Sequence, residues 1–180
     1  FFFNDTATTE IYTLSLHDAL PISAIGAGAV HVMAGFAEGP EADAAFREAL
    51  GHACDAAPDL TVLIEPLNRH DAPGYFLTTT DQAAAIIDAV ARPNLKIMFD
   101  CYHVQIMEGD LTRRLRARWD QIGHIQFAGV PDRGPPDAGE VAYERLLPAI
   151  REMGWAGPLG AEYKPGGDTD ATLGWMRTYR

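Results

Sequence analysis

The sequence predicts an α/β fold built as a partial (β/α)8 barrel, about five C-terminal βα units that correspond to strands 4–8 of eight, and three observations carry that expectation. Short apolar runs alternate with longer amphipathic stretches, a strand–helix rhythm that right-handed crossovers turn into one parallel sheet. Four successive runs carry, at or near their ends, a side chain with an acceptor oxygen: Glu65, Asp100, Gln126 and Glu162. No G-x-G-x-x-G turn or P-loop is present to mark the nucleotide crevice of an open doubly wound sheet, the other architecture with this rhythm. In a barrel the C-terminal strand ends converge on one axis and form the active-site face, whereas in an open sheet the four residues would spread along an edge.

The expected strands are AVHVM (29–33), TVLIE (61–65), LKIMFD (95–100), HIQFA (124–128) and PLGAE (158–162). Each is too short and too apolar for anything but a buried parallel strand. Between them, Glu41–Ala57, Asp81–Ala91, Asp110–Trp119 and Tyr143–Met153 carry apolar residues three and four apart, the helical spacing, and a last helix is expected over Asp170–Tyr179. Thr80 or Asp81 is expected to cap the second helix, and Pro93-Asn94 to stop it. Trp155 and Trp175 fall at core spacings and call for no cofactor.

Residues 1–23 do not fit this rhythm. Asn4 to Ile22 match, residue for residue, the translation of a common DNA-sequencing adapter, so residues 1–23 are expected to be a non-native segment and residues 24–180 the C-terminal part of one barrel domain. Five units fall short of the eight, in about 250 residues, that close a barrel. The native portion is therefore expected to be truncated at its N-terminus, and the chain by itself to be a catalytically inactive fragment of an active parent. Homo-oligomerisation of that parent is compatible with the sequence.

Composition narrows the function. A formal net charge of −11 argues against nucleic acid as a partner, because binding phosphates takes an excess of Lys and Arg. No apolar run approaches the roughly 20 residues that span a bilayer, and no secretory leader is apparent, so no membrane partner is expected. The two cysteines, Cys54 and Cys101, are far apart and form no C-x-x-C, which suits a reducing cytoplasm and offers no thiolate zinc site.

The polar strand ends carry the chemistry. Two glutamates, an aspartate and an amide oxygen converging on one axis form an all-oxygen site suited to a hard divalent cation, Mg²⁺ or Mn²⁺, which offsets three buried negative charges. His103, three residues beyond Asp100, is a candidate for orienting a substrate oxygen or a ligand carboxylate. His124 lies one layer below Gln126 on the same strand face. Arg133 follows in the next loop, near Glu140, where a guanidinium can meet a carboxylate bidentately. Asn68, Lys164 and His31 are lesser candidates.

Around these positions the segments LIEPLN (63–68), FDCYHVQIMEGD (99–110), IGHIQFAGVPDR (122–133) and GAEYKPGGDT (160–169) resemble the hydroxypyruvate isomerase and 2-oxo-tetronate isomerase family of the xylose isomerase-like TIM barrel superfamily. The resemblance runs from about Ala29 to Trp175. It implies that Glu65, Asp100, Gln126 and Glu162 bind the divalent metal, that Glu65 and Glu162 are also the catalytic proton-transferring pair, and that the substrate is a small sugar acid. The implied reaction is isomerisation of hydroxypyruvate to tartronate semialdehyde, or of a 2-oxo-tetronate, through an ene-diolate. A keto-sugar epimerase or inosose dehydratase of the same superfamily is the enzymatic alternative. Where the family has a His-Glu pair after the arginine, this chain has Gly134-Pro135, so the substrate contacts of that loop are expected to differ.

Overall fold

The computed structural model describes residues 26–177. The adapter-like segment, residues 1–23, lies outside them, as does the end of the expected last helix at Tyr179. Five strands, β1 (Ala29–His31), β2 (Thr61–Ile64), β3 (Leu95–Asp100), β4 (Ile122–Phe127) and β5 (Leu159–Ala161), form a single parallel sheet in sequential order. Sequential order is the barrel arrangement, since a doubly wound sheet reverses direction partway.

Side chains alternate across a strand, so the register divides the sheet into two chemically distinct faces. Val62, Ile64, Leu95, Ile97, Phe99, Ile125 and Phe127 face the helices and join one buried apolar cluster. The opposite face carries His31, Leu63, Met98, Asp100, His124 and Gln126, linked by the pairs His31↔Leu63, Met98↔His124 and Asp100↔Gln126. Glu65 continues the Leu63 side one residue beyond β2, and Glu162 continues the Gly160 side one residue beyond β5. A methyl group on Gly160 would lie 3.0 Å from His124 Nε2 and 3.2 Å from Gln126 Cγ, so that face of β5 must stay bare to admit the side chains of β4.

Helices α1 (Gly39–Ala56), α2 (Thr80–Val90), α3 (Cys101–Met107), α4 (Leu111–Arg118), α5 (Tyr143–Glu152) and the short α6 (Thr169–Thr172) follow the strands. The first four expected helices are present, close to their expected bounds. The last is a single α turn followed by a 3-10 stretch, Leu173–Arg177. The cap of α2 is corrected by one residue: Thr79, in an extended conformation, accepts the Gln82 N–H, and Thr80 is already helical. Helix α3 was not expected. Asp100 starts it, its Oδ1 accepting the Tyr102 N–H at 2.9 Å.

A buried ionic contact ties α2 to the end of α3. The Thr80 N–H and hydroxyl donate to Glu108 at 2.8 and 3.0 Å, and Arg114 of α4 pairs with the same carboxylate, whose side chain is 5% exposed. Removing one member of such a set leaves the others unpaired, so Glu108→Ala is expected to cost about 3 kcal/mol. Chemical denaturation would measure it, and an unchanged midpoint would show the network to be idle. Among the described residues, no helix is long and apolar enough to cross a membrane.

Candidate active site

Four strand ends position the site. Glu65 is 5% exposed and Asp100 is 1% exposed. Asp100 is pinned by its helix-capping oxygen, which leaves Oδ2 free to face the sheet axis. Glu65 stands between two histidines, with His31 Nε2 3.7 Å from Oε2 and His103 Nε2 3.9 Å from Oε1. His103 Nε2 is also 3.7 Å from Asp100 Oδ2. Glu162 is different in kind: its side chain is 53% exposed, and its Oε2 lies 3.0 Å from Arg133 Nη2, which is also 3.8 Å from Asp100 Oδ2.

Burial and like charge act together on the carboxyls. Desolvation first, and then the charges of Asp100 and Glu162, push Glu65 up to about 8, with Arg133 opposing. Desolvation raises Asp100 to about 7, although the Tyr102 N–H and Arg133 hold it back. The same burial pulls His31 and His103 down to about 4, so both are neutral at physiological pH.

Buried atoms without hydrogen-bond partners concentrate at this spot: Glu65 Oε1, Asp100 Oδ2, Gln126 Oε1, and the Nε2 atoms of His31 and His103. Native proteins leave few such groups, and those they leave ask for an explanation. Three of the five are oxygens on adjacent strands, two of them on carboxyls that pay a desolvation penalty when charged. That donor set fits a hard divalent cation. Glu65, Asp100 and His103 bring one ligand-type atom each to within 4.8 Å of one another, the one such group of three among the described residues.

The sequence candidates divide into those the structure brings together and those it does not. Glu65, His103, Asp100 and Arg133 follow one another in a chain of contacts within 4 Å, with Glu162 joined through Arg133. Gln126 is the register partner of Asp100. Asn68 is fully buried and contacts His103 rather than the open face. His124 lies beside Gly160, below Gln126, and Lys164 is exposed, anchored by its backbone N–H to the Arg133 carbonyl at 2.6 Å. Arg133 pairs with Glu162 and Asp100 and not with Glu140, which is exposed.

Two residues escaped the sequence reading. Tyr102 carries the Arg133 guanidinium over its ring, 5.3 Å from the centroid, and its hydroxyl donates to Asp71 Oδ2 at 2.8 Å. Tyr102 lies inside the segment 99–110 that carried the resemblance, whereas Asp71, in a run of turn-forming residues, gave no signal.

The family model described as xylose isomerase-like TIM barrel matches residues 18–179. A 2-oxo-tetronate isomerase of Cupriavidus necator is 45% identical over 161 residues, which cover 86% of this chain and 62% of that protein. The hydroxypyruvate isomerase of Escherichia coli K12 is 48% identical over 122 residues, covering 68% of this chain and 47% of that one. The chain thus spans between about half and three fifths of these curated relatives. The crystal structure of an AP endonuclease, family 2, from Brucella melitensis superposes with a TM-score of 0.90 at 37% identity, covering 96% of this chain and 69% of that one.

Proposed function

The chain belongs to the xylose isomerase-like TIM barrel family, and from that premise we propose that it is the acid–base portion of a metal-dependent isomerase of small sugar acids. Its substrates on this reading are hydroxypyruvate, converted to tartronate semialdehyde, or a 2-oxo-tetronate. The observation that carries the reading is the pair Glu65 and Glu162 on one sheet face, with the unpartnered oxygens of Asp100 and Gln126 on the strands between them. The names of the two isomerase relatives point the same way.

Interconverting a 2-hydroxy-aldehyde and a ketone moves a proton between adjacent carbons, so the site needs one group to take it and another to return it. Glu65 and Glu162 fill these roles, and their surroundings differ as acid–base partners' do, one buried between two histidines and the other half-open against a guanidinium. Glu65, Asp100, Gln126 and Glu162 would hold Mg²⁺ or Mn²⁺, whose charge favours loss of the proton beside a carbonyl and steadies the negative oxygen that results. Arg133, fixed over Tyr102, is the group to receive the substrate carboxylate. His124 and Lys164 serve as outer supports of β4 and of the Arg133 loop.

The likeness to an AP endonuclease favours DNA as a substrate, but a net charge of −11 opposes binding a phosphate backbone. The two free, buried cysteines support a cytoplasmic setting. Assaying the longest form that the genomic locus encodes, against hydroxypyruvate, 2-oxo-tetronates and keto-sugars, tests the substrate class. Turnover confined to sugar acids is expected; epimerisation of keto-sugars with no turnover of sugar acids would move the protein to the epimerase branch.

A further inference from the structure

Asn68 lies four residues beyond β2 and is 0% exposed, and all four of its side-chain hydrogen-bonding positions are used. Its Oδ1 accepts the backbone N–H groups of His70 at 3.0 Å and Asp71 at 2.9 Å. Those two donors identify the oxygen end of the amide, so the other end is the NH₂ group. One of its hydrogens goes to Asp71 Oδ2 at 3.1 Å, and the other points at His103 Nδ1 at 2.8 Å. The Asn68 backbone N–H donates to the same ring nitrogen at 3.1 Å. Two N–H donors therefore converge on His103 Nδ1, and a nitrogen that receives them cannot carry a proton of its own. That geometry excludes both the imidazolium and the Nδ1–H tautomer.

We propose that Asn68 is a positioning residue that holds His103 as the Nε2–H tautomer, so that His103 presents a proton, and not a lone pair, to the space between Glu65 and Asp100. Proximity alone would make His103 a third ligand beside the two carboxyls, but a protonated nitrogen has no electron pair to offer a cation. His103 is instead a hydrogen-bond donor 3.7 Å from Asp100 Oδ2 and 3.9 Å from Glu65 Oε1, aimed where an oxygen of a bound molecule would meet it. On the isomerase reading, on which this last role rests, that oxygen is the substrate's. The network also couples the two sides of the site, because Asp71 accepts from Asn68 and from Tyr102, on whose ring Arg133 stacks.

Long-range ¹H–¹⁵N spectra of the chain labelled with ¹⁵N-histidine distinguish the two ring nitrogens, with His103→Gln identifying the signals. The expected result at neutral pH is a protonated Nε2 and a bare Nδ1. Asn68→Asp keeps an acceptor for the His70 and Asp71 N–H groups but turns the side-chain group facing Nδ1 from donor to acceptor. Because the backbone N–H still competes for Nδ1, the expected result is a newly populated Nδ1-protonated form that shifts both ring-nitrogen signals. A protonated Nδ1 in the unsubstituted chain would overturn the proposal, as would an Nε2–H signal unmoved in folded Asn68→Asp. If the variant does not fold, the unsubstituted spectrum decides. Turnover enters neither measurement, so failure of the isomerase reading and failure of the tautomer assignment are separable.

Discussion

In the longest form that the genomic locus encodes, Glu162→Gln is expected to lower turnover of hydroxypyruvate or 2-oxo-tetronate by about 10³-fold or more, the upper range for losing one positioned acid–base group. The fold should barely register the change. The Glu162 side chain is 53% exposed and pairs with Arg133, and an exposed ion pair of this kind contributes at most about 1 kcal/mol. Glu65→Gln should abolish turnover as fully, with the opposite effect on stability. Glu65 is a buried carboxyl that desolvation and neighbouring charge hold up to about 8, so a neutral isostere removes a burden from the metal-free chain. Progress curves beside denaturant melts separate the two effects, and turnover retained in either variant would end the assignment of these residues as the proton-transferring pair.

Treatment with EDTA is expected to abolish the turnover of that longer form and to make stability depend on pH in a particular direction. Glu65 and Asp100 titrate near 8 and 7 in the folded chain, above their ordinary values, so the folded state holds protons that the unfolded state has released. That contribution is complete at low pH and disappears as pH rises through the folded values. His31 and His103 act oppositely, because their lowered values near 4 cost stability as pH falls below about 6.5. Between about pH 6.5 and 8 the carboxyls act with little opposition, and the metal-free protein should lose on the order of 1–2 kcal/mol across that window. Saturating Mg²⁺ or Mn²⁺ should remove the slope and add about 2.7 kcal/mol at a hundredfold excess over its dissociation constant. Melts at the two pH values, with EDTA and with each cation, give the comparison. A pH-independent melt that ignores the cation would refute the metal site.

The sheet was legible because buried parallel strands are written as unbroken apolar runs. LKIMFD matched β3 from end to end. Strand β4 begins two residues before the expected start because Gly123, a poor strand former, hid its entry. Helix α3 was missed because CYHVQIM is buried through Val104 and shows no polar face, and because Asp100 was already accounted for as a strand end. Three consecutive threonines concealed which one caps α2. Tertiary contact separates them, since the Thr80 hydroxyl is taken by Glu108. At the site, every strand-end residue was visible, because position on a strand dictates where it points. The contact between Asn68 and His103 was not, because it depends on how a loop folds back across 35 residues of sequence. His31, a lesser candidate on sequence, stands beside Glu65 because β1 pairs in register with β2.

Neighbours in this sheet are also neighbours in the chain, so the four polar strand ends lie on one unbroken run, residues 65–162. Two recombination breakpoints flanking that run would transfer Glu65, Asp100, Gln126 and Glu162 together, with the strands that present them. Exchanges whose breakpoints fall outside residues 65–162 therefore leave the four strand ends in one piece.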